Sequence, residues 1–324
     1  MCDMRTRTPS HPRLGDLALV IAAICFGSTF LVVQDAVARV EPVPFLAVRF
    51  LVGAAVLAPF ARRRPSSPGE LRDGALAGIA LTIGYVLQTV GLQYTGSARS
   101  AFITYLLVVF VPVLSFAVFR RRPHPATLVG IVIAVVGLVL LTGPGGGAGG
   151  FGRGEILTLG CAVAFAMHVV ILGVTAHKHD PIRLAAVQVA VVGGLCALPG
   201  AWLGGYGFPA PAVAAALATA VVATALAFVL QVTGQRTVPP ARAALLLLLE
   251  PVFAAVAASI RGDALAASQL GGAALILGAV AISEVVPVLL DRGVNTREAG
   301  PDNDRSQPVK PDRHQQGTGG FEVG

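Results

Sequence analysis

Charge is what this sequence has least of. Only 13% of its 324 residues are Asp, Glu, Lys or Arg, against 55% hydrophobic. A soluble domain carries about a quarter of its residues charged. Half that supply excludes a fully water-bathed surface and puts the chain in the membrane class. Cysteine is scarce too. Cys2, Cys25, Cys161 and Cys196 are scattered, the last three within apolar runs, which excludes a disulfide framework and a zinc pattern. The glycine-rich stretch Gly143–Gly150 lacks the GK[S/T] that closes a phosphate-binding loop. With no other ATPase signature in the chain, ATP is not its direct energy source. His177–Asp180 reads HKHD, metal-like in residue type but without further ligands nearby. No metal or other cofactor is implied. A convincing small-residue cleavage site is missing after the first apolar run, Leu17–Val33, which continues to Ala38. That run therefore reads as a retained span.

What is present is a series of long apolar runs. Crossing a hydrocarbon core takes about 20 apolar residues as a helix, and backbone groups in lipid must be satisfied within the helix. Ten such spans are expected, at 15–38, 44–60, 74–94, 97–119, 125–142, 155–176, 182–203, 211–234, 238–260 and 267–290. The fold class is an all-α polytopic membrane protein. A β-barrel would show short alternating segments instead. Nineteen of the 24 Lys and Arg residues fall at the N-terminus, in every second loop and in the tail. The other set of loops holds only Arg39, Arg99, Arg153 and Arg261, and Arg49 lies inside a span. The positive-inside rule then puts both termini in the cytoplasm, as expected for a multi-pass protein of the cell membrane. Placement also explains the net charge of +7 as membrane topology, not nucleic-acid binding.

One phrase is written twice. YVLQTVGLQYTGSARSAF (Tyr85–Phe102) aligns without a gap on FVLQVTGQRTVPPARAAL (Phe228–Leu245), matching Gln88 with Gln231 and Arg99 with Arg242. The echo extends further. Gly15-Asp16 recurs as Gly154-Glu155, Ala47-Val48-Arg49 as Ala186-Val187-Gln188, and Val111-Pro112 as Glu250-Pro251. The chain thus divides into a cytoplasmic segment 1–14, a first repeat 15–142, a glycine-rich linker 143–153, a second repeat 154–290 and a tail 291–324. The tail is polar and rich in Pro and Gly, and is expected to be disordered. Each repeat holds five helices. Five is odd, so the second repeat enters the membrane from the opposite side and the repeats are inverted. Secondary transporters use opposed halves to open a midplane site to either side in turn.

The motifs also resemble a family. FGSTF (Phe26–Phe30), FLAVRF (Phe45–Phe50), YTGSARSAFITYLLVVFVPV (Tyr94–Val113), LLLEPVFAAV (Leu247–Val256) and SQLGGAALILGAV (Ser268–Val280) are together similar to EamA-type members of the drug/metabolite transporter superfamily. The resemblance covers about 15–290. It implies ten helices in two five-helix inverted repeats around a central cavity, and export or import of amino acids and other small metabolites, with export the expected direction.

The intramembrane polar residues are the candidates for substrate or proton binding. Glu250 lies about 14 Å from the cytoplasmic edge at 1.5 Å per residue, near the midplane, where a carboxylate is costly unless functional or paired. It is a candidate for a cationic substrate group or a coupled proton, or else a neutral carboxyl bonded between helices. Adjacent Pro251 removes a donor from the carbonyl of Leu247. Pro251 and its counterpart Pro112 are gating candidates. His168 lies about 12 Å from the inner edge and matches Glu250 in depth. It is either a titrating partner of Glu250 or a packed neutral ring. Arg49, about 8 Å below the outer edge, is read as a structural polar contact or a substrate ligand, and can also snorkel. Gln88 and Gln231 bridge helices or bond substrate. Arg99 and Arg242 begin helices on opposite faces, as interface markers or gates.

The expected partners are a small-molecule substrate and the lipid bilayer, and a homodimer stays open. Two other classes compete. A membrane-embedded enzyme needs a catalytic constellation at one depth, and neither a nucleophile nor a metal set accompanies Glu250 and His168. A membrane-anchored interaction protein would work through its tail. An enzyme is not expected.

Overall fold

The computed structural model describes residues 12–95, 97–120, 123–143, 152–262 and 265–298. Among the described residues ten helices follow one another, beginning with α1 Pro12–Val37, α2 Pro42–Arg62, α3 Glu70–Leu92, α4 Ser97–Tyr105 and Leu107–Phe119, and α5 Pro125–Thr142. The second half repeats them as α6 Arg153–Thr175, α7 Pro181–Trp202, α8 Ala210–Gln235, α9 Pro240–Leu247 and Glu250–Ile260, and α10 Ala267–Glu298. Nine are long and apolar enough to cross a membrane, and α10 carries a shorter apolar stretch, Ala267–Ser283. The chain is an all-α, multi-pass membrane protein. Large apolar side chains such as Leu198, Trp202, Val132 and Leu270 stand exposed on the outside of the bundle, as a lipid-facing surface requires.

Pro and turn residues set the helix starts. Pro42, Pro125, Pro181 and Pro240 occupy the first turn, where a missing N–H costs nothing and φ is already helical. Asp180 caps α7 by accepting from the N–H groups of Ile182 and Arg183.

Repeat-equivalent helices pack antiparallel. Leu51 of α2 meets Gly193 of α7, while Pro44 meets Gly200. Thr127 of α5 reaches Ser283 of α10 at 3.2 Å, while Gly137 meets Gly272. The other large contacts come in matched pairs. At the α3–α6 crossing Gly91 faces Gly154, and at α8–α1 Gly234 faces Gly15. The two crossings exchange the roles of the halves. At each, absent side chains let the backbones approach, which replaces the hydrophobic drive that lipid removes.

Three features differ from a reading of ten uninterrupted spans. First, α4 and α9 are broken, at Leu106 and at Leu248–Leu249, near repeat-equivalent positions. In α9 the break immediately precedes Pro251, which cannot donate to Leu247. In α4 Pro112 lies inside the second piece and does not account for the break. Second, α8 contains a π-turn, Ala220–Leu226. Third, α10 continues past 290 to Glu298, where a disordered tail is expected from 291. No proline occurs between Pro287 and Pro301, so nothing there blocks helical hydrogen bonding. Residues 299–324 and most of the glycine-rich linker, 144–151, lie outside the described residues.

Candidate functional site

A cavity of about 850 Å³ lies between the halves. Its wall comes from α1–α4 of the first half and α6, α8 and α9 of the second. Exposed lining residues gather at one end: Gln34, Ala38 and Arg39 of α1 and its loop, Leu92 and Gln93 at the end of α3, and Gly204, Gly207 and Pro209 before α8. The opposite end of the wall, at Val169, Gln231 and Ala244, is buried. The cavity is thus open at one end and sealed at the other. The sequence expects the open end to face outside.

The closure is polar as well as apolar. Gln235 donates to the carbonyl of Val169 at 2.7 Å, and Gln231 donates to Gln235 at 3.3 Å. Pro240 seats against Gly173. Below them Asp16 pairs with Arg242 at 2.8 Å. On the same side the α2–α3 loop is pinned to α7 and the loop before it. Arg183 bonds Glu70 at 2.6 Å, and His179 bridges Asp73 at 2.9 Å and Ser67 at 2.6 Å. His179, from the HKHD stretch, is a buried hydrogen-bonding hub. Among the described residues no group of three or more His, Cys, Asp or Glu side chains could hold a metal.

Aromatic rings line the middle of the cavity. Phe26 and Phe228 meet edge-to-face at 5.4 Å, and Tyr85 and Phe165 at 5.2 Å. Phe26 is the repeat-equivalent of Phe165, and Tyr85 of Phe228. The same aromatic contact is therefore made twice, crosswise between the halves.

Glu250 opens the second piece of α9, half-buried in the cavity wall, with Tyr105 and Arg49 as its electrostatic neighbours. Gly27 of α1 abuts the Glu250 carbonyl with no room for a side chain. This close approach brings Phe26 beside the break. His168 lines the same cavity, but its Nε2 lies 2.7 Å from Gln188 Oε1. The partner of His168 is thus an amide of α7, not the carboxylate matched to it by depth.

Arg49 is 4% exposed, so it does not snorkel. Its Nε donates to Thr224 Oγ1 at 2.8 Å and its Nη2 to the Ala223 carbonyl at 3.2 Å. Both acceptors belong to the π-turn of α8. The guanidinium also lies 5.4 and 5.8 Å from the ring centroids of Phe50 and Tyr85. A π-turn re-aims side chains and backbone carbonyls within a helix, and here that distortion receives the arginine. Arg49 and Gln188 occupy equivalent positions, so the two halves have the same scaffold with different chemistry.

Gln88 lines the cavity and donates to Thr104 at 3.4 Å; Gln231 lines it too and takes part in the closure above. Arg99 pairs with Glu155 at 3.1 Å, at the open end, and does not line the cavity. Pro112 is buried inside α4, and Pro251 follows Glu250. Sequence reasoning missed Tyr85, Tyr105 and Thr224 as partners. Their residue types are ordinary in apolar helices, and only their positions in space make them matter.

Fold and site together define a polytopic membrane transporter built of two repeats around a central cavity. The EamA-like transporter family matches at residues 13–143 and again at 152–284, and the chain belongs to that family. It is 34% identical over 270 residues to an uncharacterized transporter of Archaeoglobus fulgidus, across 82% of this chain and 84% of that one. It is 24% identical over 277 residues to the uncharacterized transporter YvbV of Bacillus subtilis, across 82% and 90%. A solved crystal structure superposes with a TM-score of 0.72 at 22% identity, covering 84% of this chain and 98% of the other, a likeness of fold.

Proposed function

We propose that this transporter is a secondary carrier that exports small metabolites or drugs by alternating access across the plasma membrane, with both termini in the cytoplasm. The observation that carries this reading is a central cavity open at one end only, between halves whose equivalent helices run antiparallel. Opposed halves of like structure can exchange conformations, which would seal the open end and open the sealed one. The sealed end holds the Arg-rich loops, so the positive-inside rule makes the cavity outward-open. Glu250, His168, Gln88 and Gln231 line the cavity and are the groups a substrate or a coupled proton would meet there.

The test is flux into proteoliposomes containing the purified protein in known orientation. Saturable movement of at least one compound from a broad metabolite panel, faster from the cytoplasmic face, supports the proposal. No flux across the panel counts against it. Product formation without net translocation would favour an embedded enzyme.

A further inference from the structure

We infer that the cavity selects organic monocations: amines with an aromatic or apolar body and no carboxylate. The inference rests on the transport reading and deepens it. Four observations on the cavity wall carry it. The first is Glu250. Its carboxylate lies half-buried in the wall near Tyr105, and Arg49 acts on it through space without forming an ion pair among the described residues. A carboxylate in a low-dielectric wall whose cationic neighbour, Arg49, makes no contact with it favours a cationic guest.

The second is the state of Arg49. A zwitterionic guest would need a forked cation for its carboxylate. Arg49 lines the cavity, but Thr224 and the Ala223 carbonyl hold two of its nitrogens and its guanidinium lies 5.8 Å from the Tyr85 ring centroid. With only 4% of its surface exposed, Arg49 is a pillar between α2 and α8 and presents no fork to a guest.

The third is the aromatic lining. Phe26, Phe165, Phe228 and Tyr85 surround the midsection in two crosswise pairs. Ring faces attract a desolvated cation and repel an anion. Their apolar area also accommodates the body of the guest. The fourth is what completes the wall. Gln88, Gln231, Thr29, Thr104 and Ser100 offer hydrogen bonds without formal charge. At the mouth Arg39 and Glu41 balance one another. Arg49 and Glu250 are thus the interior's opposed fixed charges, and with Arg49 held by Thr224 and the Ala223 carbonyl, Glu250 is the charge left for a guest to contact.

A matched set of probes tests this: tryptamine, L-tryptophan and indole-3-propionate share one ring system and carry a cation, a zwitterion and an anion. Binding to the purified full-length protein in nanodiscs is measured by calorimetry, and uptake by proteoliposome flux. The expected result is saturable binding and flux of tryptamine, with L-tryptophan weaker by roughly tenfold or more and indole-3-propionate silent. Glu250→Gln should weaken tryptamine by roughly tenfold or more, the loss of one well-placed ionic contact. Phe228→Leu tests the rings independently and should weaken tryptamine more than it weakens neutral indole. Arg49→Gln installs the residue that the second repeat carries at the equivalent position. It should spare the preference for tryptamine over L-tryptophan.

L-tryptophan or indole-3-propionate bound as tightly as tryptamine would overturn the inference. So would tryptamine binding unchanged in Glu250→Gln, or a preference that reverses in Arg49→Gln. If neither tryptamine nor any other amine moves while uncharged or anionic members of the metabolite panel do, the cation inference fails and the transport reading stands. If nothing in the panel moves, the transport reading itself fails.

Discussion

Arg242 of the second repeat donates to Asp16 of the first across 2.8 Å, and its repeat-equivalent Arg99 reaches Glu155, the equivalent of Asp16, across 3.1 Å. Each arginine of the duplicated phrase thus clasps the acid that opens the first helix of the other half. One clasp lies at the sealed end of the cavity and the other at the open end, yet both are closed in the same conformation. A gate at each end would alternate. We therefore propose that these pairs are fixed joints, α9 to α1 and α4 to α6, around which other contacts change.

The joints should contribute modestly to stability, and unequally. Side-chain exposure is 26% and 17% for Arg242 and Asp16, and 27% and 8% for Arg99 and Glu155. Partly exposed pairs are screened, and about 0.5–1 kcal/mol is the expected loss for Asp16→Asn. Glu155 also accepts from Thr95 at 2.7 Å and from the Gly152 N–H at 3.0 Å. Glu155→Gln should therefore cost more than Asp16→Asn, because several donors lose an ionised acceptor together. Apparent melting temperatures in one detergent would rank the variants. A larger drop for Asp16→Asn than for Glu155→Gln would contradict the structure.

Arg49 leads to a sharper stability prediction. Thr224 is fully buried and accepts from its Nε. Thr224→Val keeps the shape of the side chain but leaves an ionised donor buried without that acceptor, at a cost of about 1–3 kcal/mol. Arg49→Gln removes the charge with its donors and should cost less than Thr224→Val. Thermal unfolding checks the order of the two variants, and the reverse order would show that Arg49 is not anchored on the π-turn.

The span boundaries were legible because bilayer thickness dictates the length of each apolar run, and apart from the end of α10, at Glu298 and not 290, the described helix ends fall within a few residues of them. The duplication was legible because the same words recur at a nearly constant spacing. The cavity chemistry was legible only in part. Depth along a helix follows from counting residues, so Glu250 and His168 could be placed near one level. Azimuth does not follow from counting, and His168 turns out to meet Gln188 instead. The π-turn that receives Arg49 left no mark in the composition of α8, since an extra residue in a turn changes geometry and not hydropathy. His179 looked like a loop residue beside other polar ones. Its burial against Asp73 and Ser67 depends on a loop packing 106 residues away along the chain.

Topology follows from the charge count and can be tested on described loops. Leu203, after α7, is exposed beside the cavity mouth, and Ser66, between α2 and α3, is exposed at the sealed end. In a variant free of native cysteines, Leu203→Cys should react with a membrane-impermeant maleimide added outside intact cells. Ser66→Cys should react only after the membrane is opened. A cysteine placed at 147 in the linker should label from outside as well. The opposite pattern at all three sites would invert the protein and turn the open cavity toward the cytoplasm.

The repeat also says which contacts should close the open end. At the sealed end Gln235 holds the backbone of Val169. Shifted by the spacing of the repeat, Gln235 becomes Leu92 and Val169 becomes Phe30, and both line the open mouth. When the halves exchange conformations, α3 should move onto α1 until Leu92 reaches Phe30, while Gln235 lets go of Val169. In a variant free of native cysteines, Phe30→Cys with Leu92→Cys should form a disulfide during turnover. Transport should stop on oxidation and recover on reduction. A cysteine pair at 16 and 242 should also cross-link, but there transport should continue, because that joint is closed in both states. If the pair at 16 and 242 blocks transport as fully as the pair at 30 and 92, the arginine clasps are gates after all. If the pair at 30 and 92 never cross-links under turnover, the halves do not exchange conformations as the repeat demands.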